Sequence, residues 1–115
     1  MSFNSSAALL DALVLAVVAG EDIYGYRITQ QIRQAVDVSE STLYPVLRRL
    51  QKDNCLKIYD QEFSGRNRRY YKITERGKIQ LALYREQWKD YRTSVENILF
   101  VENKADQGGE SDGIS

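Results

Sequence analysis

SESTLYPVLRRLQKDN, residues 39–54, combines an apolar stripe with a polar and cationic surface opposite it. Apolar residues that recur every three or four positions predict an amphipathic helix. Ser39 is the expected N-cap of this helix, and Asp37 with Glu40 forms a competing capping pair. The inner face would carry Leu43, Val46, Leu47 and Leu50, and the outer face Ser41, Tyr44, Arg48 and Lys52.

Pro45 lies beyond the first turn of this helix if Ser39 is the cap. A proline in a helix interior costs about 3 kcal/mol, because it lacks a backbone N–H and its ring collides with the preceding turn. The helix could begin one turn later or bend at the proline. We expect it to continue through Pro45 with a local distortion.

A basic β-hairpin is predicted directly after the helix. Residues 55–61 alternate between apolar and polar, so Leu56 and Ile58 would share the inner face of a strand. Residues 62–67 contain the turn dipeptide Ser-Gly, and residues 68–73 would return as the partner strand. Tyr71 and Ile73 are expected to point inward on the returning strand. Its outward residues would be Arg68, Tyr70 and Lys72.

Three further helices are expected around these elements. The first is capped by Ser5 or Ser6, runs to about residue 19, where Gly20 ends it, and is apolar on almost every side. Such a helix must be buried on several faces, and a second subunit could cover part of it. The second helix is predicted over residues 24–35, with Ile28 and Ile32 buried. The last is capped by Thr74 and is expected to reach about residue 102.

The last helix carries a seam of aromatic and branched apolar residues from position 84 to position 98. Their spacings of four, three, four and three are those of helices that pack lengthwise on one another. A chain this small has no second long helix to receive the seam, which therefore predicts a homodimer. The predicted interface, with two residues of the first helix, is Leu13, Val17, Tyr84, Trp88, Tyr91, Val95 and Ile98.

Composition narrows the class of protein. The 115 residues suffice for one domain, and a single cysteine and no histidine exclude an intrachain disulfide and histidine-based metal sites. We expect no metal and no cofactor. The N-terminus lacks the basic region of a signal peptide, and the apolar run that follows is too short to span a bilayer. We therefore expect a cytoplasmic protein with no membrane partner.

Charge is distributed unevenly along the chain. The net charge is zero overall, but residues 24–73 hold ten bases and five acids and so carry a net charge of +5. This positive segment contains the amphipathic helix and the basic hairpin. A local positive field attracts phosphates more directly than global charge does.

A helix with a cationic outer face followed by a basic hairpin predicts a winged helix-turn-helix that binds DNA. The expected fold is mostly α (α+β), with the winged domain at residues 5–73, a dimerisation helix at 74–102 and a disordered tail at 103–115. A solvated helix face and a charged sheet edge are the simpler alternatives. The predicted DNA-binding residues are Ser41, Thr42, Tyr44, Pro45, Arg48, Arg49, Arg66, Arg68, Arg69 and Lys72. The angle of Arg49 places it toward the side of the helix.

Four segments resemble the PadR family of bacterial transcriptional regulators: LDALVL at 10–15, YGY at 24–26, STLYPVLRRL at 41–50 and RYYKITERG at 69–77. The resemblance covers about residues 8–100, and the single C-terminal helix is similar to that of the short subfamily, which includes multidrug-responsive repressors. It implies a winged domain that binds a palindromic operator and a last helix that dimerises.

In some short-subfamily members, a tryptophan on the last helix pairs across the dimer axis and stacks planar drugs. Trp88 matches that position. The resemblance therefore implies a planar aromatic effector at Trp88, Tyr91 and Tyr84, although aromatic residues at helical spacing can also serve packing alone. Glu86 and Asp90 are the only acids close by in sequence, few for a cationic compound.

The leading hypothesis is a homodimeric transcriptional repressor that a small-molecule effector releases from double-stranded DNA. The alternative is a winged-helix module for protein–protein contact without DNA binding. No nucleophile–base pair, carboxylate cluster or phosphate loop appears in the sequence, so an enzyme is not expected. Repression is what the resemblance implies.

Overall fold

The computed structural model describes residues 6–102 and contains four helices and a three-stranded antiparallel sheet in this part of the chain. This is the winged helix-turn-helix with a long C-terminal helix that the sequence predicts. The N-cap predicted at Ser5 and the tail predicted at 103–115 lie outside the described residues. The elements are α1 (Ser6–Gly20), β1 (Ile23–Tyr24), α2 (Gly25–Ile32), α3 (Glu40–Lys52), β2 (Leu56–Phe63), β3 (Arg66–Ile73) and α4 (Glu75–Leu99).

The amphipathic helix α3 begins after the predicted N-cap and ends at Lys52, two residues before the end of the predicted segment. The side chain of Ser39 accepts a hydrogen bond from the backbone N–H of Thr42 at 3.3 Å, which satisfies one of the free N–H groups of the first turn. The helix runs through Pro45 without ending. Its inner face is buried as predicted, at Leu43, Val46, Leu47 and Leu50.

Asn54 ends α3 by adopting a left-handed conformation, with φ of 64°. The N–H of Asn54 donates to the carbonyl of Gln51 at 3.0 Å, and the N–H of Cys55 donates to that of Leu50 at 2.8 Å. This pair of bonds is a Schellman motif, in which asparagine takes the place usually held by glycine. The chain therefore turns sharply from α3 into β2.

The hairpin turn is shorter than predicted. Only Ser64 and Gly65 connect β2 to β3, and both have positive φ, 54° and 77°. A two-residue turn with positive φ at both positions matches the right-handed twist of the flanking strands. The two strands are correspondingly longer than the sequence suggested, and Phe63 pairs directly with Arg66.

The prediction for the second helix was wrong at both ends. Ile23 and Tyr24 form a short strand against Tyr71 and Tyr70 of β3, and the helix covers only Gly25–Ile32. Pairing with a distant strand outweighs the local helical pattern at the first of these ends. Ile28 and Ile32 are buried as expected.

Helix α1 is covered largely by its own chain. Val14, Leu15 and Val18 are at most 1% exposed, and Leu10, Leu13 and Val17 are half-buried against the same core. The helix packs against α2, α3, α4 and β3. One chain therefore buries more of α1 than the sequence suggested.

The last helix, α4, ends at Leu99, three residues before the predicted end.

Candidate nucleic-acid interface

Side chains from α3 and β3 gather around the half-buried Tyr71. The rings of Tyr44 and Tyr71 both border Gly25, because a Cβ at that position would lie 3.5 Å from one ring and 3.7 Å from the other. Burial raises the pKa of Tyr71, and the positive charges of Arg69 and Arg48 act in the opposite direction. Cations from the helix and from the hairpin therefore flank the same phenol.

We call the surface formed by Tyr44, Arg48 and Arg69 the contact surface. Tyr44 is 39% exposed, and the two arginines are exposed beside it. Pro45 is also exposed, next to Tyr44 on α3. The sequence predicted these four residues as DNA contacts, and the structure brings three of them together on two elements. Cations on a helix and on a neighbouring hairpin can bind two neighbouring parts of a nucleic acid backbone.

The N-terminus of α3 adds hydroxyl groups next to the contact surface. The hydroxyl of Ser39 lies 3.0 Å from that of Ser41 and 3.1 Å from that of Thr42, and all three residues are exposed or partly exposed. Free N–H groups and hydroxyls at a helix start suit phosphate oxygens. The hydroxyls of Ser41 and Thr42 also bond to the N-cap residue Ser39, and their contact with phosphate stays a prediction.

The alternation of β3 separates the predicted hairpin arginines. Arg69 shares the face of Tyr71 and lies 3.6 Å from Asp60 on the neighbouring strand. Arg66 is exposed beside the turn at the tip of the hairpin. Arg68 lies on the opposite face, outward as predicted. The alternation therefore places Arg69 on one face of the hairpin and Arg66 with Arg68 on the other.

Arg68 is held between two aromatic rings. Its guanidinium carbon lies 4.4 Å from the ring centroid of Tyr24 and 4.5 Å from that of Phe63. A guanidinium over an aromatic face gains about 0.5–1 kcal/mol at an exposed site. Beside it, the rings of Tyr59 and Tyr70 stack with centroids 5.6 Å apart. Arg68 therefore ties β1, β2 and β3 together on the outer face of the sheet.

Lys72 occupies the same outer face. Its ammonium group lies 3.9 Å from a carboxylate oxygen of Asp22, and the hydroxyl of Tyr59 donates to Asp22 at 2.8 Å. Arg68 and Lys72 thus have partners within the chain, which the sequence did not indicate because Asp22 and Tyr24 lie far from the hairpin in sequence. Their contact with DNA stays a prediction.

Arg49 turns away from the contact surface toward α1. It donates two hydrogen bonds to the carboxylate of Asp11, at 2.6 Å and 2.9 Å, and Tyr84 of α4 donates a third at 2.9 Å. We call these three residues the Asp11 cluster. Hydrogen bonding to Asp11 raises the pKa of Arg49. Burial, followed by the bond to Asp11, raises the pKa of Tyr84 to about 12. The sequence missed this cluster, whose only sign was an acid inside an apolar helix.

A groove of about 420 Å³ runs between α1 and α4. It brings together Leu13, Tyr84 and Trp88, which the sequence assigned to the dimer interface and, for the two aromatic residues, also to the effector site. Tyr91 lies outside the lining, but its ring centroid is 6.1 Å from that of Trp88. Val17 and Val95 are half-buried elsewhere, and Ile98 is 77% exposed. Basic residues dominate the charged lining: Arg85, Lys89 and Arg92, with Glu86 as the one acid.

Cys55 is buried at the start of the hairpin. Burial raises the pKa of its thiol, which disfavours the reactive thiolate at neutral pH. Between residues 6 and 102, no group of acidic or cysteine side chains is placed to hold a metal ion. Within the same residues, no helix has the length and apolar character needed to cross a membrane.

Comparison with known proteins places these features in context. The model of the transcriptional regulator PadR-like family matches residues 14–83. The transcriptional regulator Rv3488 of Mycobacterium tuberculosis is 36% identical over 70 residues, which are 60% of this chain and 65% of that protein. The crystal structure of smu.1704 from Streptococcus mutans UA159 is 39% identical, with a TM-score of 0.80 over 88% of this chain and 95% of that one.

A more distant likeness involves a structure with DNA. Bacillus subtilis PadR in complex with operator DNA is 21% identical, with a TM-score of 0.61, and the match covers 66% of this chain and 46% of that one. At this identity the match shows a shared fold. The described residues therefore share the fold of a protein whose structure with operator DNA has been solved.

Proposed function

The chain belongs to the PadR-like family of transcriptional regulators, and from this membership we propose that its α3 and hairpin together contact operator DNA. The observation that carries the proposal is the contact surface, where Arg48 of α3 and Arg69 of β3 flank Tyr71. A winged helix-turn-helix places the second helix of that motif, which is α3 in this chain, in the major groove, and its hairpin lies beside that helix. The side chains of the contact surface suit both positions.

On α3, Arg48 is the residue best placed to contact a base. An arginine can donate two hydrogen bonds to a guanine edge, and a good pair of this kind discriminates against a wrong base by about 1–3 kcal/mol. Tyr44 and the hydroxyls of Ser41 and Thr42 would donate to phosphates on either side. These contacts would set the register of α3 on the duplex.

On the hairpin, we assign the main contacts to Arg66 at the tip and Arg69 on the face toward α3. Both are exposed cations that can reach a minor groove or the phosphates flanking it. Arg68 and Lys72 would support the hairpin from its outer face, where aromatic rings and Asp22 hold them. Arg49 would take no direct part in base contact because Asp11 holds its guanidinium.

We further propose that two copies act together through α4. Trp88 and Tyr91 are about 40% exposed in the single chain, and Ile98 is 77% exposed, although all three lie on the heptad seam. Packing this seam against a second copy would remove it from water. Two recognition helices related by a two-fold axis contact half-sites about one helical turn apart, which fits a palindromic operator.

We also propose that the protein is a repressor and that a small-molecule effector releases it from DNA. A planar aromatic effector would enter the α1–α4 groove beside Tyr84 and Trp88, near Tyr91. Binding at the dimer interface would change the separation of the two winged domains and so shift the population away from the form that fits DNA. The groove and the seam support this step.

The test first uses the wild-type protein to enrich the duplexes that it binds from fragmented genomic DNA. The enriched duplexes are then labelled, and the affinity of each variant for them is measured by fluorescence anisotropy. Arg48→Ala should lower affinity about tenfold or more and relax specificity at one position, because a bidentate base contact is lost. Arg66→Ala/Arg69→Ala should lower affinity and reduce the steepness of the salt dependence, because phosphate contacts are lost. Lys78→Ala is the matched control, since it removes an exposed cation of α4 that pairs with Glu75.

Affinity in the arginine variants equal to that of wild type and Lys78→Ala would contradict the proposal. A shallow salt dependence of wild-type binding would also contradict it and would favour the protein–protein module instead. Steep weakening between about 50 and 200 mM salt is the result expected of several phosphate contacts.

A further inference from the structure

We propose that the Asp11 cluster positions α3. The bond of Arg49 to Asp11 sets the direction in which Arg48 points toward DNA, and the bond of Tyr84 to Asp11 couples that direction to the α1–α4 groove. The proposal rests on the function proposed above and names how that site is regulated. It gives Arg49 a role different from the DNA contact expected from its place in the sequence. Three helices meet at one carboxylate, and each contributes one residue to it.

Asp11 is the centre of the cluster and is only 5% exposed. Within residues 7–102, it and Thr29 are the buried polar residues. Both carboxylate oxygens are used: Oδ1 accepts from Arg49 at 2.6 Å, and Oδ2 accepts from Arg49 at 2.9 Å and from Tyr84 at 2.9 Å. Burial of a carboxylate costs free energy unless its oxygens accept hydrogen bonds. The loss of any one bond to Asp11 therefore destabilises the whole cluster.

The bidentate pair restricts how α3 can rotate about its axis. A guanidinium is a rigid, planar fork, and two parallel bonds to a carboxylate fix its orientation more tightly than a single charge contact would. Arg49 is about 40% exposed, so it bonds Asp11 from the edge of the core. Arg48 is the preceding residue, about a quarter turn away on the helix surface. Holding Arg49 on Asp11 therefore determines the direction in which Arg48 leaves the helix.

Tyr84 connects this pair to α4. Helix α1 packs against both α3 and α4, whereas α3 and α4 have little direct contact with each other. Two connections link α4 to α3: the N-cap Thr74 of α4 bonds to Asn54 at the end of α3, and Asp11 joins side chains of α1, α3 and α4. The ring of Tyr84 also lines the α1–α4 groove, with Leu13 and Trp88. A molecule or side chain that displaces this ring would weaken the hydroxyl bond to Asp11.

The decisive variant is Tyr84→Phe, which keeps the ring in the groove and removes only the hydroxyl. We expect operator affinity to fall about three- to tenfold, the size typical of mutations that couple two sites. The slope of affinity against salt should not change, because no phosphate contact is lost. Tyr26→Phe is the matched control: it removes the hydroxyl of an exposed tyrosine of α2 that belongs neither to the Asp11 cluster nor to the contact surface. It should stay within about twofold of wild type.

Arg49→Lys separates positioning from DNA contact. A lysine keeps the positive charge and could still bind a phosphate, but it cannot form the bidentate pair with Asp11. Positioning predicts a loss of operator affinity similar to that of Tyr84→Phe. It also predicts that the double variant loses less than the sum of the two single losses, since both act through Asp11. Direct phosphate contact predicts affinity close to wild type and independent effects.

Trp88 provides a readout that a purely structural role would not change. It is the single tryptophan of the chain and lines the groove together with Tyr84. Operator binding should shift the fluorescence of Trp88 in the wild type and in Tyr26→Phe, and the shift should be reduced at saturating DNA in Tyr84→Phe and Arg49→Lys. Circular dichroism checks that each variant is folded. If one of the two variants does not fold, the other still tests the proposal.

The outcomes separate this inference from the function on which it rests. If wild type and Arg48→Ala bind no duplex, both are overturned. If wild type binds an operator through Arg48, but Tyr84→Phe and Arg49→Lys match it in affinity and in the Trp88 shift, only the positioning role is overturned. Loss of affinity in both variants, with an unchanged salt slope and non-additive effects, supports it.

Discussion

At the scale of single residues, the chain places one carboxylate where its neighbours are apolar. Asp11 lies in a helix whose residues Val14, Leu15 and Val18 are fully buried. Its bonds to Arg49 and Tyr84 offset the cost of removing it from water. The protonation of the tyrosine matters here, because only the neutral phenol can donate to the carboxylate.

This arrangement predicts a pH dependence of stability. The pKa of Tyr84 is raised to about 12 in the folded chain, against about 10 for an unperturbed tyrosine. A raised folded pKa contributes stability that is complete below about pH 10 and is lost as pH rises through about 12. We therefore expect the stability advantage of wild type over Tyr84→Phe in urea unfolding to shrink between about pH 10 and 12. An advantage that stays constant over this range would contradict the role of the phenol.

At the scale of elements, the junction between the hairpin and α4 depends on a close backbone approach. The hydroxyl of Thr74 donates to the carbonyl of Asn54 at 2.6 Å and accepts from the N–H of Gly77 at 2.9 Å. A Cβ at Gly77 would overlap the carbonyl oxygen of Cys55 and the side chain of Ile73. The first turn of α4 therefore packs directly on the backbone at the start of β2.

Gly77→Ala should destabilise the fold by about 2–3 kcal/mol or more, because the added methyl group meets backbone that cannot move away easily. Urea unfolding followed by circular dichroism measures the change. Gly20→Ala is the matched control, since a Cβ there has nothing within 4 Å, and it should be nearly neutral. Equal stability of the two variants would show that α4 does not dock at Gly77 as described.

Elements with local signals were predictable from the sequence. Ser39 and Thr74 cap α3 and α4 as expected, since each accepts a bond from an N–H three residues later. Ser64 and Gly65 form the turn, and the alternation around them predicted which side chains of β2 and β3 face inward. These features depend on residues close together in the chain.

Features that depend on distant residues could not be predicted. The strand at Tyr24 exists because it pairs with Tyr70, and a two-residue strand has no periodicity of its own. The bonds of Asp11 join residues 38 and 73 positions away. The same holds for the candidate site: the approach of Arg48 to Tyr71 and Arg69 follows from tertiary packing, and so does the contact of Arg68 with Tyr24.

At the scale of the whole molecule, α4 is the longest element that the structure describes, and its 25 residues span about 37 Å at the usual helical rise. Apolar residues at its end are at least 66% exposed: Ile98, Leu99, Phe100 and Val101. Apolar residues clustered in this way mark an interaction surface. A second copy covering it would place two cationic winged domains at a fixed separation.

The most direct test is the number of chains bound per duplex, measured by sedimentation of the wild-type protein with its selected operator at about 50 mM and 200 mM salt. The proposed function predicts a dimer at micromolar concentration, two chains on one duplex, and an affinity about a thousandfold lower at the higher salt. A monomer that binds no duplex even at the lower salt would contradict it.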